Sequence, residues 1–164
     1  MNDTGRQQIR LAAQAIRKDD WDIVLTSPLS RARESASILN EVVGFEQIIE
    51  DELLIERSFG EAEGLSHEQW KAKYSDLDEI PGGESRTELA KRSILLLDSV
   101  TKRFSGKRVL AVSHGALIRA LISHASNNEL PKAGERLGNA SLNVVAHSSG
   151  SWKMIDYQLD PLLP

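Results

Sequence analysis

Apolar positions along the chain switch repeatedly between a helical period and short unbroken runs, and that alternation sets out the elements. Ile9, Ala12, Ala13 and Ile16 follow the helical repeat behind Thr4-Gly5-Arg6-Gln7, which reads as a capping box, so a helix is predicted over about residues 5–18. Ile23-Val24-Leu25-Thr26 is a short β-branched run that reads as a buried strand. It stops at Ser27-Pro28, where Ser27 is placed to cap and Pro28 to enter the first turn of a helix. Ala32, Ala36, Leu39 and Val43 carry that helix to a stop at Gly44. Residues 47–50 read as another short strand. Ser66-His67-Glu68-Gln69 and Ser85-Arg86-Thr87-Glu88 are two further capping boxes, the second opening a long helix with Leu89, Leu96, Leu97, Val100 and Phe104 on its apolar face and a stop at Gly106. Val109-Leu110-Ala111-Val112 is the clearest buried strand, and a helix over about residues 116–124 follows it. Residues 141–147 and 152–157 flank Ser148-Ser149-Gly150 as a hairpin.

Strands alternating with helices predict an α/β layer sandwich, with residues 1–164 as a single domain. The apolar fraction of 40% and charged fraction of 27% fit an ordinary globular chain. The absence of cysteine closes thiolate-metal, disulfide and cysteine-nucleophile chemistry. A net charge of −4 with no basic stripe gives no basis for a nucleic-acid partner. No apolar run is long enough to span a bilayer and residues 1–6 do not resemble a signal peptide, so a cytoplasmic location is expected and a membrane partner is not.

Four segments can carry chemistry. In Val112-Ser113-His114-Gly115-Ala116 a histidine stands at the carboxyl end of a strand and just before a helix, where open α/β sheets hold ligands and where helix amides favour anions. Gly115 would let backbone approach a ligand closely. A buried structural histidine would look the same in sequence. Ser27-Pro28-Leu29-Ser30-Arg31 repeats the strand–turn–helix arrangement with an arginine in the first turn. That placement opposes the helix dipole unless an anion lies between, although a solvated surface arginine is the plain alternative. Glu56, in a loop with Phe59, Gly60 and Gly64, could serve as a general acid, but by sequence it is not separable from Glu61 or Glu63. Pro81-Gly82-Gly83-Glu84-Ser85 reads as a turn before a cap and needs no functional explanation. His67, His124 and His147 have no metal-ligand spacing and read as structural or surface residues, and neither a P-loop nor a nucleophile elbow is present.

In this order and spacing the four segments, together with Asn139-Ala140-Ser141-Leu142, resemble the histidine phosphatase superfamily, also called phosphoglycerate-mutase-like. The resemblance implies a three-layer α/β sandwich with a mixed, mostly parallel sheet. It implies phosphoryl transfer from phosphomonoesters through a phosphohistidine intermediate, with no metal and no organic cofactor. By the same resemblance Arg31 is a phosphate-binding arginine and His114 the second, non-nucleophilic histidine. The amides of Gly115 and Ala116 lie near the substrate, and Glu56 matches the family's proton donor.

Family members open with a strand ending in Arg-His-Gly, whose histidine is the nucleophile, and no Arg-His-Gly occurs in these 164 residues. Residues 1–8 resemble the stretch that normally follows it. The expectation is therefore a chain truncated at its N-terminus, as a shortened gene product or through a start codon placed too far downstream. It would lack the first strand, the nucleophile and half of the arginine clamp, would be inactive alone, and would tend to form homo-oligomers through exposed strand edges. The partner expected is a small phosphorylated substrate. The short interval between the Glu56 loop and the Pro81 turn favours a phosphatase over a phosphoglycerate mutase. A non-catalytic phosphate- or partner-binding domain is the reading from a different class.

Overall fold

In the computed structural model, residues 1–159 are described. Five helices and five strands are connected by short 3-10 turns: α1 (Asp3–Gln14), β1 (Ile23–Thr26), α2 (Ser30–Val43), β2 (Ile48–Glu50), α3 (His67–Lys73), α4 (Arg86–Arg103), β3 (Val109–Val112), α5 (Gly115–Ala125), β4 (Leu142–Ser148) and β5 (Ser151–Leu159). β1 lies at the centre of a parallel sheet in the order β2-β1-β3, and β4 and β5 form an antiparallel hairpin. The mixed sheet expected from sequence is thus resolved into an all-parallel three-stranded sheet and a separate two-stranded one.

The sheet acquires two cores because side chains alternate across a strand. Val24 points into one cluster with Ala13, Ile16, Leu39, Phe45 and Leu110, under α1 and α2. Leu25, the next residue, joins Leu54, Leu89, Leu96 and Leu117, under α4 and α5. This is the three-layer sandwich, with β1 between two helical layers. The register pairs Ile23 with Val109 and Thr26 with Val112. Both strands therefore end at the same sheet edge, and the residues following them, Ser27 and Ser113-His114, emerge side by side.

Helix ends follow local chemistry where the cap is complete. Ser66 with Gln69 and Ser85 with Glu88 each form both bonds of a capping box. Gly44 closes α2 at φ 77°, a conformation that costs glycine little. Two predicted caps are corrected. Asn2, not Thr4, caps α1 by accepting from the Gly5 amide at 2.9 Å, and the helix ends at Gln14 rather than residue 18. α2 begins at Ser30 behind an uncapped Leu29, so Pro28 lies outside its first turn and Ser27 does not cap it.

The strand read as most buried is corrected as well. Only Leu110 of β3 is buried, and Ala111 is exposed. β3 is hydrogen-bonded to β1 on one side only among the described residues, and β4 only to β5. A cavity of about 600 Å³ is lined by β3 from Leu110 onward, by Ile9 and Ala12 of α1, by Ile16 beyond that helix, and by residues 137–142 leading into β4. Burial follows from what covers a strand as well as from its own composition, and the composition alone was visible in sequence.

Leu25 is 0% exposed and Leu95 58% exposed. Leu25→Ala is expected to lower unfolding free energy by roughly 3 kcal/mol in urea titrations, and Leu95→Ala to shift it by less than about 0.5 kcal/mol.

Candidate active site

The paired carboxyl ends of β1 and β3 bring Ser27, Arg31 and His114 into one hydrogen-bonded chain. His114 is buried, and its ring is held from both sides. Arg31 Nε donates to Nδ1 at 3.0 Å, and Nε2 lies 2.8 Å from Ser27 Oγ. Because Arg31 can only donate, Nδ1 must carry a lone pair, so the neutral Nε2–H tautomer is the one that fits, with Nε2 donating to Ser27. Ser27 Oγ also accepts from the Leu29 amide at 3.3 Å. Sequence reasoning gave Ser27 to a helix cap; its actual partner is 87 residues away, and the only local signal was a serine at the end of a buried strand.

Burial, reinforced by the positive charges of Arg31 and Arg92, lowers the His114 pKa from 6.5 to about 4. The site thus sets an uncharged imidazole beside the Arg31 guanidinium, with the Glu56 carboxylate on the same cavity wall. Arg31 is exposed, and among the described residues no carboxylate forms an ion pair with it. Its remaining guanidinium donors are available to an anion at the mouth of the cavity, whose lining includes Arg31, Glu56, His114 and Gly115.

The head of α5 completes the recess. His114 is its N-cap residue but makes no side-chain cap bond. That bond comes from Glu56, whose Oε1 and Oε2 lie 3.2 and 3.5 Å from the Ala116 amide. Glu56 Oε1 also accepts from the Arg57 amide at 2.9 Å. The structure separates it from its acidic neighbours: Glu61 accepts from Tyr74 and Glu63 from the Phe59 amide, both at exposed positions. Of the two amides expected beside a substrate, that of Ala116 already serves Glu56. A Cβ built on Gly115 would meet nothing within 4 Å, so this glycine faces open space. Ser113, adjacent to His114, donates to the Leu54 carbonyl at 2.8 Å and so ties β3 to the Glu56 loop.

His67, His124 and His147 are all exposed, and none of them lines this cavity. His67 meets Trp70 edge-on and His147 leans on Trp152. Among the described residues no cluster of His, Asp or Glu is placed to hold a metal ion, and no helix is long and apolar enough to cross a membrane.

Residues 1–160 match the histidine phosphatase superfamily (branch 1), and the chain belongs to that family. It is 34% identical over 160 residues to an uncharacterized phosphatase, PhoE, of Bacillus subtilis, covering 98% of this chain and 82% of that one. It is 33% identical over 164 residues to a probable phosphoglycerate mutase, GpmB, of Photorhabdus laumondii, covering 93% and 75%. Among solved structures it is similar to a mycobacterial glucosyl-3-phosphoglycerate phosphatase in complex with inorganic phosphate, with a TM-score of 0.81, 26% identity, and coverage of 100% of this chain and 89% of that one.

The depressed His114 pKa links folding to pH. Between pH 6.5 and about 4 the unfolded chain takes up a proton that the folded chain refuses, so stability is full above that window and falls as pH drops through it. The loss reaches roughly 3 kcal/mol at most. Urea midpoints measured at pH 7 and pH 5 are expected to fall in wild type and to fall less in His114→Gln. Equal losses in the two proteins would show that His114 is not buried as the neutral base.

Proposed function

We propose that residues 1–164 supply the phosphate-binding and proton-donating parts of a phosphomonoester hydrolase site. The observation that carries this reading is the exposed Arg31 guanidinium, without a carboxylate partner among the described residues and hydrogen-bonded to a neutral, buried histidine at the head of α5. A phosphate dianion seated there would pair with the free arginine donors. Its charge would also favour the imidazolium, turning Nδ1 of His114 from acceptor to donor, so that the ring bonds the phosphoryl oxygens while Nε2 keeps Ser27. Such donors stabilise the charge that builds on the equatorial oxygens during transfer.

Glu56 in this reading is the general acid. When a histidine nitrogen attacks phosphorus and the ester P–O bond breaks, the leaving oxygen takes its proton from the Glu56 carboxyl. Water then displaces the phosphoryl group from nitrogen, and Glu56 recovers a proton. Gly115 and Ala116 contribute the positive end of α5 to the same anion.

We place the attacking histidine outside residues 1–164, on a strand that occupies the cavity between β3 and β4. The support is physical: among the described residues β3 pairs only with β1 and β4 only with β5, Ala111 is exposed, and the cavity that β3 lines extends to His114 and to Leu142 at the start of β4. On this reading residues 1–164 alone bind phosphate without turning it over, and the exposed edges favour association with other chains. The relatives include both phosphatases and probable phosphoglycerate mutases, and the short interval between the Glu56 loop and the Pro81 turn favours hydrolysis over a mutase reaction. The substrate class is a small phosphomonoester.

Calorimetric titration with inorganic phosphate is expected to show binding that Arg31→Ala weakens by about tenfold or more, the size of lost charge-assisted hydrogen bonds. An aryl phosphate is expected to remain unhydrolysed. His114-dependent turnover by residues 1–164 would mean that the nucleophile lies within them.

A further inference from the structure

The Pro81–Ser85 turn, which needs no purpose by sequence alone, is tied to the Glu56 loop at several points: Glu61 donates its amide to the Pro81 carbonyl at 3.0 Å, Ser58 Oγ donates to the Gly82 carbonyl at 3.3 Å, and Glu84 makes the ties that flank Glu56. Glu84 donates its amide to the Ser58 carbonyl at 2.8 Å and accepts Arg57 Nε on its own carbonyl at 2.6 Å. Its carboxylate takes Arg92 of α4 in a two-pronged pair, Nε to Oε1 and Nη2 to Oε2, both at 2.7 Å. The remaining Arg92 nitrogen, Nη1, donates to the carbonyls of Leu53 at 3.0 Å and Ile55 at 2.8 Å. Residues on both sides of Glu56 are thus anchored to Glu84: Leu53 and Ile55 through the arginine, Arg57 and Ser58 directly.

Two features argue that this is more than incidental surface pairing. The Arg92 and Glu84 side chains are only 18% and 16% exposed, so the pair is shielded from the solvent that weakens surface ion pairs. Arg92 also spends four of its five N–H groups in a planar pattern that lysine cannot reproduce. The turn is pressed against the loop as well. Gly60 has φ +51°, and a Cβ there would stand 2.2 Å from the Pro81 carbonyl oxygen and 2.4 Å from the Gly83 nitrogen.

We infer that Glu84 and Arg92 are positioning residues, which act through the backbone at Leu53 and Ile55 to hold the Glu56 carboxylate at the head of α5. The catalytic meaning of that position rests on the reading of Glu56 as general acid; the placement itself does not. It can be read in isolation because Ala116 is the second residue of α5, where an amide has no partner within the helix. Its hydrogen-exchange protection therefore reports the Glu56 bond.

Hydrogen exchange of residues 1–164, followed amide by amide by NMR, is the test. Protection of Ala116 is expected in wild type and lost in Glu56→Ala. Glu84→Gln and Arg92→Lys are expected to lower it about tenfold, with the interior amides of α5 unchanged relative to one another. If both variants keep wild-type protection at Ala116 while their urea midpoints fall, the pair is a structural tie only and the inference is overturned. An unprotected Ala116 in wild type overturns it too. Should Arg92→Lys fail to fold, Glu84→Gln, which preserves shape while removing the charge and one of the two acceptors for Arg92, decides alone. Phosphate titration of the same samples keeps the two claims apart: protection that depends on Glu84, without phosphate binding, would retain the positioning and reject the phosphatase site.

Discussion

The parallel pairing of β1 with β3 is the constraint on which the rest of the molecule depends. It sets Ile23 against Val109 and Thr26 against Val112, so two chain segments far apart in sequence reach the same edge at the same height. Each then turns into a helix, and the first residues past the two strands meet as Ser27 and His114. The alternation of Val24 and Leu25 into opposite cores fixes the face each strand presents. A slip of one residue would exchange the two cores and separate serine from histidine, so hydrophobic burial and site geometry select the same register.

Around that pairing the site is built from opposites. Burial and neighbouring cations keep the imidazole uncharged, yet one of those cations, Arg31, turns its remaining donors toward the cavity, where an anion would meet them. Glu56 places a carboxylate at the same helix terminus, where amides and dipole stabilise negative charge. Anion, arginine and imidazole form a set in which adding one charge changes the preferred state of another. Such a set suits a site whose ligand gains and loses charge as bonds form and break.

Elements whose signals are local were legible in the sequence. Ser66-Gln69 and Ser85-Glu88 specify their helix starts within four residues, and Gly44 ends α2 by its own backbone freedom. His114, Arg31 and Glu56 were found because the order and spacing of whole segments resemble a family, and the structure gathers all three at one cavity. What could not be read depends on partners distant in sequence. Ser27 looked like a cap because its histidine lies 87 residues on. Glu84 looked like a turn residue because its partner's carbonyl bonds reach back 39 and 37 residues. Thr4 lost its predicted role to Asn2, since consecutive polar residues compete for the same amides and sequence does not rank them. Ala111 was read as buried from composition, which carries no record of whether a neighbouring strand covers it.

The central place of β1 also has a consequence for the order in which the molecule forms. β1 can pair with β2 soon after both are made, because their residues are only about two dozen positions apart. Its other edge must wait for β3, after the loop that carries Glu56 and the whole of α4. During synthesis from the N-terminus, the Ser27 side of the site is therefore formed long before its histidine is available. Local helices come first, the long-range parallel contact comes late, and the chemistry-bearing cluster is among the last things the chain completes.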